Sequence, residues 1–179
     1  METDAALAEK LRLENLRRSG IRIDREGRFV HEGQPVVHEG LRQALFRWLD
    51  RLPPPDGRYV LRLDAQRYAF LDVDDTPLVV GALRVSGDAV MLSLSDGADE
   101  VLDPETLTID QAGILRCLVR GGRLAARLSN SAATALADSI VETPTGPALQ
   151  LGPRRFSIRV WSGDQRSQQP GDHPGGGAA

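Results

Sequence analysis

Residues 40–52 read GLRQALFRWLDRL, from Gly40 to Leu52, and the fold class turns on them. Leu41, Ala44, Leu45, Trp48, Leu49 and Leu52 stand at i, i+3, i+4, i+7, i+8 and i+11, one continuous face of an α-helix. Pro53-Pro54-Pro55-Asp56-Gly57 stops that helix and turns the chain. Phe46 lies off the stripe, placed to pack against a second element, and Arg47 and Asp50 fall on the opposite, exposed face. A single well-formed helix then has to be fitted to the pattern on either side of it, which has period two.

Upstream, Ile21 and Ile23 lead into the turn Asp24-Arg25-Glu26-Gly27, and Arg28-Phe29-Val30-His31-Glu32 reads as the returning strand. Downstream, Tyr59 to Leu63 and Tyr68 to Val73 form a hairpin about Asp64-Ala65-Gln66. LVVGALRV (78–85) and AVMLSLS (89–95) form a second about Ser86-Gly87-Asp88. GILRCLVR (113–120) and RLAARLS (123–129) form a third about Gly121-Gly122. A short Ala-rich helix over 131–142 presents Ala133, Leu136, Ala137 and Ile140 on one face. PALQL (147–151) and the strand at 155–161 make a last hairpin.

The class this predicts is α+β and mostly β, in two small lobes built from a repeated hairpin–helix–hairpin motif. The predicted divisions are an N-terminal helix at 1–19, a first lobe at 20–95, a second at 96–161 and a disordered tail at 162–179. The repeat is one of element order, from Ile21 to Val85 and from Leu107 to Val160, without shared sequence. DAALAEKLRLENLRR (4–18) has helix propensity throughout but no clean apolar stripe. SGDQRSQQPGDHPGGGAA, from Ser162, lacks apolar content to offset its ordering entropy.

Composition narrows the function classes. The net charge is −3, so no global basic field draws in a nucleic acid. No apolar run reaches the roughly 18–20 residues that span a bilayer. METDAALAEK has no apolar stretch of the kind a signal peptide carries, and the expected location is cytoplasmic. Cys117 is the only cysteine, which removes disulfide frameworks and thiolate clusters and leaves a buried core thiol.

Two stretches invite chemistry. HEGQPVVHEG (31–40) holds two of the three histidines beside two carboxylates. His31 belongs to a strand, Gly33-Gln34-Pro35 to a turn, and His38-Glu39 to the approach of the helix, so the i, i+4 geometry of a helical zinc motif is missing. Glu39 is accounted for by the favourable field at a helix N-terminus. DVDDTP (72–77) packs three carboxylates into four positions, partly like an oxygen-ligand site for a hard cation. The chain returns at once to a strand at Leu78-Val79-Val80, so a strand end with an Asx-type turn explains it too. Arg116, Arg120, Arg123, Arg127, Arg154 and Arg155 offer anion contacts or a solvated sheet face. No G-x-S-x-G, P-loop, Rossmann or zinc signature is present, and no catalytic residue, metal ligand or cofactor is assigned.

GIRIDREGRFVHEGQPV, LRQALFRWLDRL, YVLRL and DVDDTPLVV, in that order, resemble the bacterial DUF1285 family (a domain of unknown function). The pattern maps onto Ile21 and Ile23, Glu26-Gly27, Phe29, Gly33-Gln34-Pro35-Val36, Tyr59, and Val73-Asp74-Asp75-Thr76-Pro77. The resemblance spans residues 20–160 and is densest in the first half. It implies a mostly β, two-part architecture with a repeated motif and a part in signalling or regulation by binding; that family has no established activity.

The expectation is therefore a cytoplasmic ligand- or partner-binding regulatory module, its partner a small molecule or a protein rather than nucleic acid or membrane. The candidate ligand-binding residues are Asp74, Asp75, Arg116, Arg127 and Arg155, placed where the lobes meet. Two alternatives stay open. One is a metal-assisted hydrolase using Asp72, Asp74 and Asp75 with His31 or His38; the other is a structural interaction protein presenting its sheet edges.

Overall fold

The computed structural model describes Arg12 and residues 14–161. Two sheets carry most of the chain, and the first is built around the quoted helix. Strand β1 (Arg18–Ile23) pairs antiparallel with β2 (Phe29–His31), setting Ile23 opposite Phe29. Asp24 shapes the turn between them, its Oδ1 accepting the N–H groups of Glu26 at 3.0 Å and Arg28 at 2.9 Å. Glu32 and Gly33, at φ 49° and 79°, form the two-residue reversal into β3 (Gln34–Pro35), the backbone geometry that tight hairpins favour. HEGQ is thus a hairpin turn. Helix α1 (Glu39–Trp48) follows, with His38 as its cap: Nδ1 accepts the Leu41 N–H at 3.2 Å.

The helix ends at Trp48 and not at Leu52 as the stripe predicts. Leu49–Arg51 instead form β4, paired with β5 (Tyr59–Arg62) so that Leu49 faces Leu61 and Asp50 faces Val60. Spacing alone cannot separate the two, because Leu45 and Leu49 stay buried whether the helix continues or gives way to a strand. Asp50 is consequently not on an exposed helix face. Its carboxylate lies 2.8 Å from Arg62 and 3.4 Å from Arg123, the latter from the second half of the chain. Leu41, at the start of the stripe, is 46% exposed, and Trp48 is half-buried, so the stripe is buried mainly at Leu45 and Leu49. Phe46, off the stripe, packs edge-on to Phe29 with ring centroids 4.8 Å apart.

Strand β6 (Tyr68–Val73) returns antiparallel to β5 and then lies parallel to β1, giving the order β3-β2-β1-β6-β5-β4. The predicted hairpins at 78–95 and 113–129 are both present, as β7 (Leu78–Ser86) with β8 (Ala89–Leu94), and β11 (Leu115–Val119) with β12 (Leu124–Leu128). They join along a parallel seam that pairs Leu78 with Ala126, so β7 and β8 share a sheet with the second half of the chain. With β9 (Asp99–Val101), β10 (Thr108–Ile109) and β16 (Arg159–Val160) that sheet runs β16-β10-β11-β12-β7-β8-β9.

Ser129 caps helix α2 (Asn130–Ala137), its Oγ accepting the Ala132 N–H. The helix is shorter than predicted: Ile140 opens β13 (Ile140–Thr143), and the buried residues of α2 are Ala132 and Leu136. Backbone pairing of Ile140 with Leu149 takes the place of another helical turn. β13, β14 (Gly146–Leu151) and β15 (Arg154–Ser157) form a three-stranded sheet, and β16 leaves it to pair with β10. The mostly β, α+β class holds. Arg12 and residues 14–16 are helical, while most of the predicted N-terminal helix and all of the predicted tail from Ser162 lie outside the described residues.

One continuous apolar core unites these layers, running from Ile23, Phe29 and Leu45 through Leu78, Leu92 and Leu107 to Leu136 and Leu149. Gly27 shows how closely the first hairpin sits on the larger sheet. It adopts φ 78°, and a Cβ there would stand 2.7 Å from Val79 Cγ2. Gly27→Ala combines a left-handed backbone penalty with overpacking against a β-branched side chain and should cost about 2 kcal/mol. Urea denaturation checks this; an unchanged midpoint would mean that the hairpin is not seated there.

Candidate functional site

The DVDDTP segment carries the chain from the first sheet to the second. It bends at Asp74 and Asp75, and the two carboxylates diverge. Asp75 enters a partly buried charge network. Arg116, its side chain only 7% exposed, places Nε and Nη2 each 2.9 Å from Asp75 Oδ1 and Nη1 2.7 Å from Asp110 Oδ2. Arg127, the cross-strand neighbour of Arg116, brings Nε to 3.8 Å from Asp75 Oδ2. The Trp161 ring lies 5.2 Å from the Arg116 guanidinium carbon. Asp110 is held by the N–H groups of Ala112 and Ile114, at 2.8 and 2.9 Å. The Arg116 hydrogen bond, then the Ile114 N–H, holds the Asp110 carboxyl below its usual range. Thr76 completes the joint, accepting the Arg127 N–H at 3.1 Å and donating to Leu78 O at 2.8 Å.

Of the five predicted binding residues, three meet: Asp75, Arg116 and Arg127. Asp74 lies elsewhere, 3.2 Å from Arg22. Arg155 is a correction. It sits exposed on β15 in the three-stranded sheet and donates to Gln150 Oε1 at 3.0 Å. Adjacency to Arg154 said nothing about which sheet would hold it.

The open space lies on the other side of the segment, at the β1–β6 seam. A cleft of about 870 Å³ is lined by Arg18, Ser19 and Gly20 of β1, Phe70 to Asp74 at β6, Gly57 to Tyr59, and Arg25 and Glu14. The pairing register of β1 slips between Arg18 and Arg22, with Gly20 at φ 67°. Ser19 stabilises this bulge, donating from Oγ to Phe70 O at 2.6 Å and accepting the Ile21 N–H at 3.1 Å. Such bulges re-aim side chains, here Arg18. Arg58 closes one wall, 3.8 Å above the Phe70 ring. Its charge is met by Asp56 at 2.8 Å and Glu14 at 3.5 Å, and the Asp56 hydrogen bond raises its pKa. Arg18, Arg25 and Asp72 have no ion-pair partner among the described residues. Sequence reading missed Arg18 because it ended the N-terminal helix there; Ser19-Gly20 was the available signal of a break.

The histidines line a different groove. His31 and His38 face an apolar channel of about 440 Å³ with Ile21, Pro35, Val36 and Leu41. Among the described residues no three His, Cys, Asp or Glu side chains come together as a metal ligand set. Asp72 and Asp74 both line the cleft, Asp74 paired with Arg22, while Asp75 goes to Arg116 and neither histidine reaches them, so the three carboxylates and a histidine do not converge as a metal-assisted hydrolase needs. Cys117 is buried, and burial pushes its thiol up to about 12, far from a reactive thiolate. No helix among the described residues is long and apolar enough to cross a membrane.

No family model matches the chain, and no curated protein matches it. Two solved structures do. A DUF1285 family protein from Silicibacter pomeroyi DSS-3 superposes with a TM-score of 0.67 at 20% identity, over 80% of this chain and 81% of that one. A DUF1285 family protein from Shewanella baltica OS155 superposes with a TM-score of 0.55 at 15% identity, over 66% of this chain and 91% of that one. At these identities the likeness is one of fold. The resemblance read from the residue pattern and the likeness of the backbones agree: this chain has the fold of the DUF1285 proteins.

Proposed function

We propose that the protein is a ligand-binding regulatory module whose small-molecule site is the cleft at the β1–β6 seam. One observation carries this reading. The cleft, about 870 Å³, is of the size of small-molecule sites, and charged side chains line it without partners among the described residues. Asp74, one of the candidate residues, belongs to it, whereas Asp75, Arg116 and Arg127 act as the joint behind it. A cytoplasmic setting suits a chain whose single cysteine is a buried thiol. We also propose two lobes that meet at Asp74–Pro77 rather than at residue 95. The order hairpin, helix, three-stranded meander supports the repeat: β1–β2, α1 and β4–β6 are matched by β11–β12, α2 and β13–β15. A signalling role would follow if ligand in the cleft altered the joint through the DVDDTP segment.

A thermal-shift screen across acids, bases and neutral metabolites tests the site. A true ligand at about 100 times its dissociation constant stabilises by roughly 2.7 kcal/mol. Asp72→Trp puts a large side chain of high strand propensity into the cleft and should abolish that shift without unfolding the protein. If no compound gives a shift that Asp72→Trp removes, the cleft is not a binding site.

A further inference from the structure

We infer that the ligand of this cleft is a small dianion, a dicarboxylate or a phosphate monoester, held between Arg18 and Arg25; the inference rests on the cleft being a binding site at all. Charge within the cleft points to it. Arg22 is neutralised by Asp74, and Arg58 by Asp56 and Glu14. What remains is two guanidinium groups, Arg18 and Arg25, against one carboxylate, Asp72. Arg12, Arg17, Arg47, Arg84, Arg155 and Arg159 also lack a carboxylate among the described residues, but none lines the cleft; Arg18 and Arg25 line one concave space together. A guanidinium presents its donors as a planar fork that fits a carboxylate or phosphate edge-on, and two forks suit two negative charges. Both side chains are anchored next to rigid features: Arg18 precedes the bulge that Ser19 ties to Phe70 O, and Arg25 sits in the turn that Asp24 organises.

The remaining carboxylate adds selectivity. Asp72 sits on β6, whose Phe70 is paired with Arg18. It offers acceptors only, so it favours a dianion that also carries a hydroxyl or ammonium donor and disfavours a higher polyanion by like-charge repulsion. The cleft is larger than either dianion alone, leaving room for a body against the wall formed by Arg58 stacked on Phe70.

Succinate and inorganic phosphate are the probes, titrated separately by calorimetry against the full-length protein, and against Arg18→Ala, Arg25→Ala and Arg84→Ala. The expected result is saturable binding of at least one of them, weakened about tenfold by either cleft substitution, as loss of a charge-assisted hydrogen bond predicts. Arg84→Ala should match the parent, and whichever probe binds identifies carboxylate or phosphate as the preferred chemistry. Arg18→Lys and Arg25→Lys should restore part of the loss, because they keep the charge and remove the fork. Absence of saturable binding by both probes overturns the inference, and so does binding that both alanine variants retain. Should a neutral or cationic compound bind and be displaced by Asp72→Trp, the cleft stands as a site and the dianion falls; should nothing in the screen bind, both fall together.

Discussion

Arg116→Ala should destabilise the protein by about 3 kcal/mol, because it removes the shared cation of a largely buried network, leaving Asp75 with only the distant Arg127 and Asp110 with only its N–H donors. Arg116 is 7% exposed and Asp75 15%, so water cannot readily replace the lost donors. Arg127, whose Nε stands 3.8 Å from Asp75 without a hydrogen bond, is too distant to take over. A double variant, Asp75→Ala with Arg116→Ala, should recover part of the loss, since it deletes one stranded charge along with its partner. Urea midpoints at neutral pH measure both. A single-variant cost under about 1 kcal/mol would mean that the network is as dispensable as a surface ion pair. Acid provides a second reading. The Asp110 carboxyl is lowered in the fold, so its contribution is present above the ordinary carboxylate value of about 3.9 and is lost as pH falls through the folded value. Asp24 behaves likewise: burial opposes its ionisation, but the Arg28 N–H and guanidinium outweigh it. The parent should therefore lose stability on acidification below about pH 4, and Arg116→Ala, in which only the Ile114 and Ala112 N–H groups still favour the Asp110 carboxylate, should lose less.

Phe29→Ala should cost about 3–5 kcal/mol, the range for truncating a buried aromatic ring. Phe29 is 1% exposed, lies opposite Ile23 in the β1–β2 pairing, and meets Phe46 edge-on at 4.8 Å. Its removal opens a cavity between the six-stranded sheet and α1, where neither backbone can relax inward. Trp48 on the same helix is half-buried, so Trp48→Ala should cost distinctly less although it stands on the apolar stripe. Arg47→Ala, on the exposed side, should stay within about 0.5 kcal/mol. Denaturation midpoints rank the three, and a larger effect at Trp48 than at Phe29 would show that the helix packs by another face.

The elements that could be read in advance are those whose signal is local. Ser86-Gly87-Asp88 and Gly121-Gly122 mark hairpins because glycine adopts the backbone these turns require, with Gly87 at φ 61° and Gly121 at φ 64°. Leu49-Asp50-Arg51 and Ile140-Val141 read as helix in the sequence because their apolar spacing suits a helix as well as a strand, and only pairing with β5 and β14 decides between them. Which strands become neighbours is not local at all. Nothing in LVVGALRV says that it will lie beside RLAARLS, so β7 is recognisable as a strand while its partner across the parallel seam is not. The site divides in the same way. The cluster of Asp75 with Arg116 and Arg127 was legible because the two arginines belong to one well-patterned hairpin and DVDDTP stands out by its charge. Arg18 and Arg25 were not, because what sets them apart is the absence of an ion-pair partner among the described residues, which appears only once every neighbouring charge has a position.

The parallel seams set an order of assembly as the chain leaves the ribosome. β1 cannot meet β6 until Val73 has been made, but at that point all strands of the six-stranded sheet exist. The larger sheet has to wait longer. β7 can pair with β8 once Leu94 has emerged, but its partner across the parallel seam, β12, is complete only at Leu128, and the edge pairing of Thr108 with Arg159 closes almost last. Leu78 and Val80 meanwhile have only the β7–β8 hairpin beside them, although the finished core buries them completely. Synthesis therefore exposes an apolar strand next to a completed half, an interval in which non-local pairing is slow and aggregation competes with it. Stalled chains ending between residues 95 and 120 should be the ones that a chaperone grips most firmly, and chains extended past residue 160 the ones that it releases.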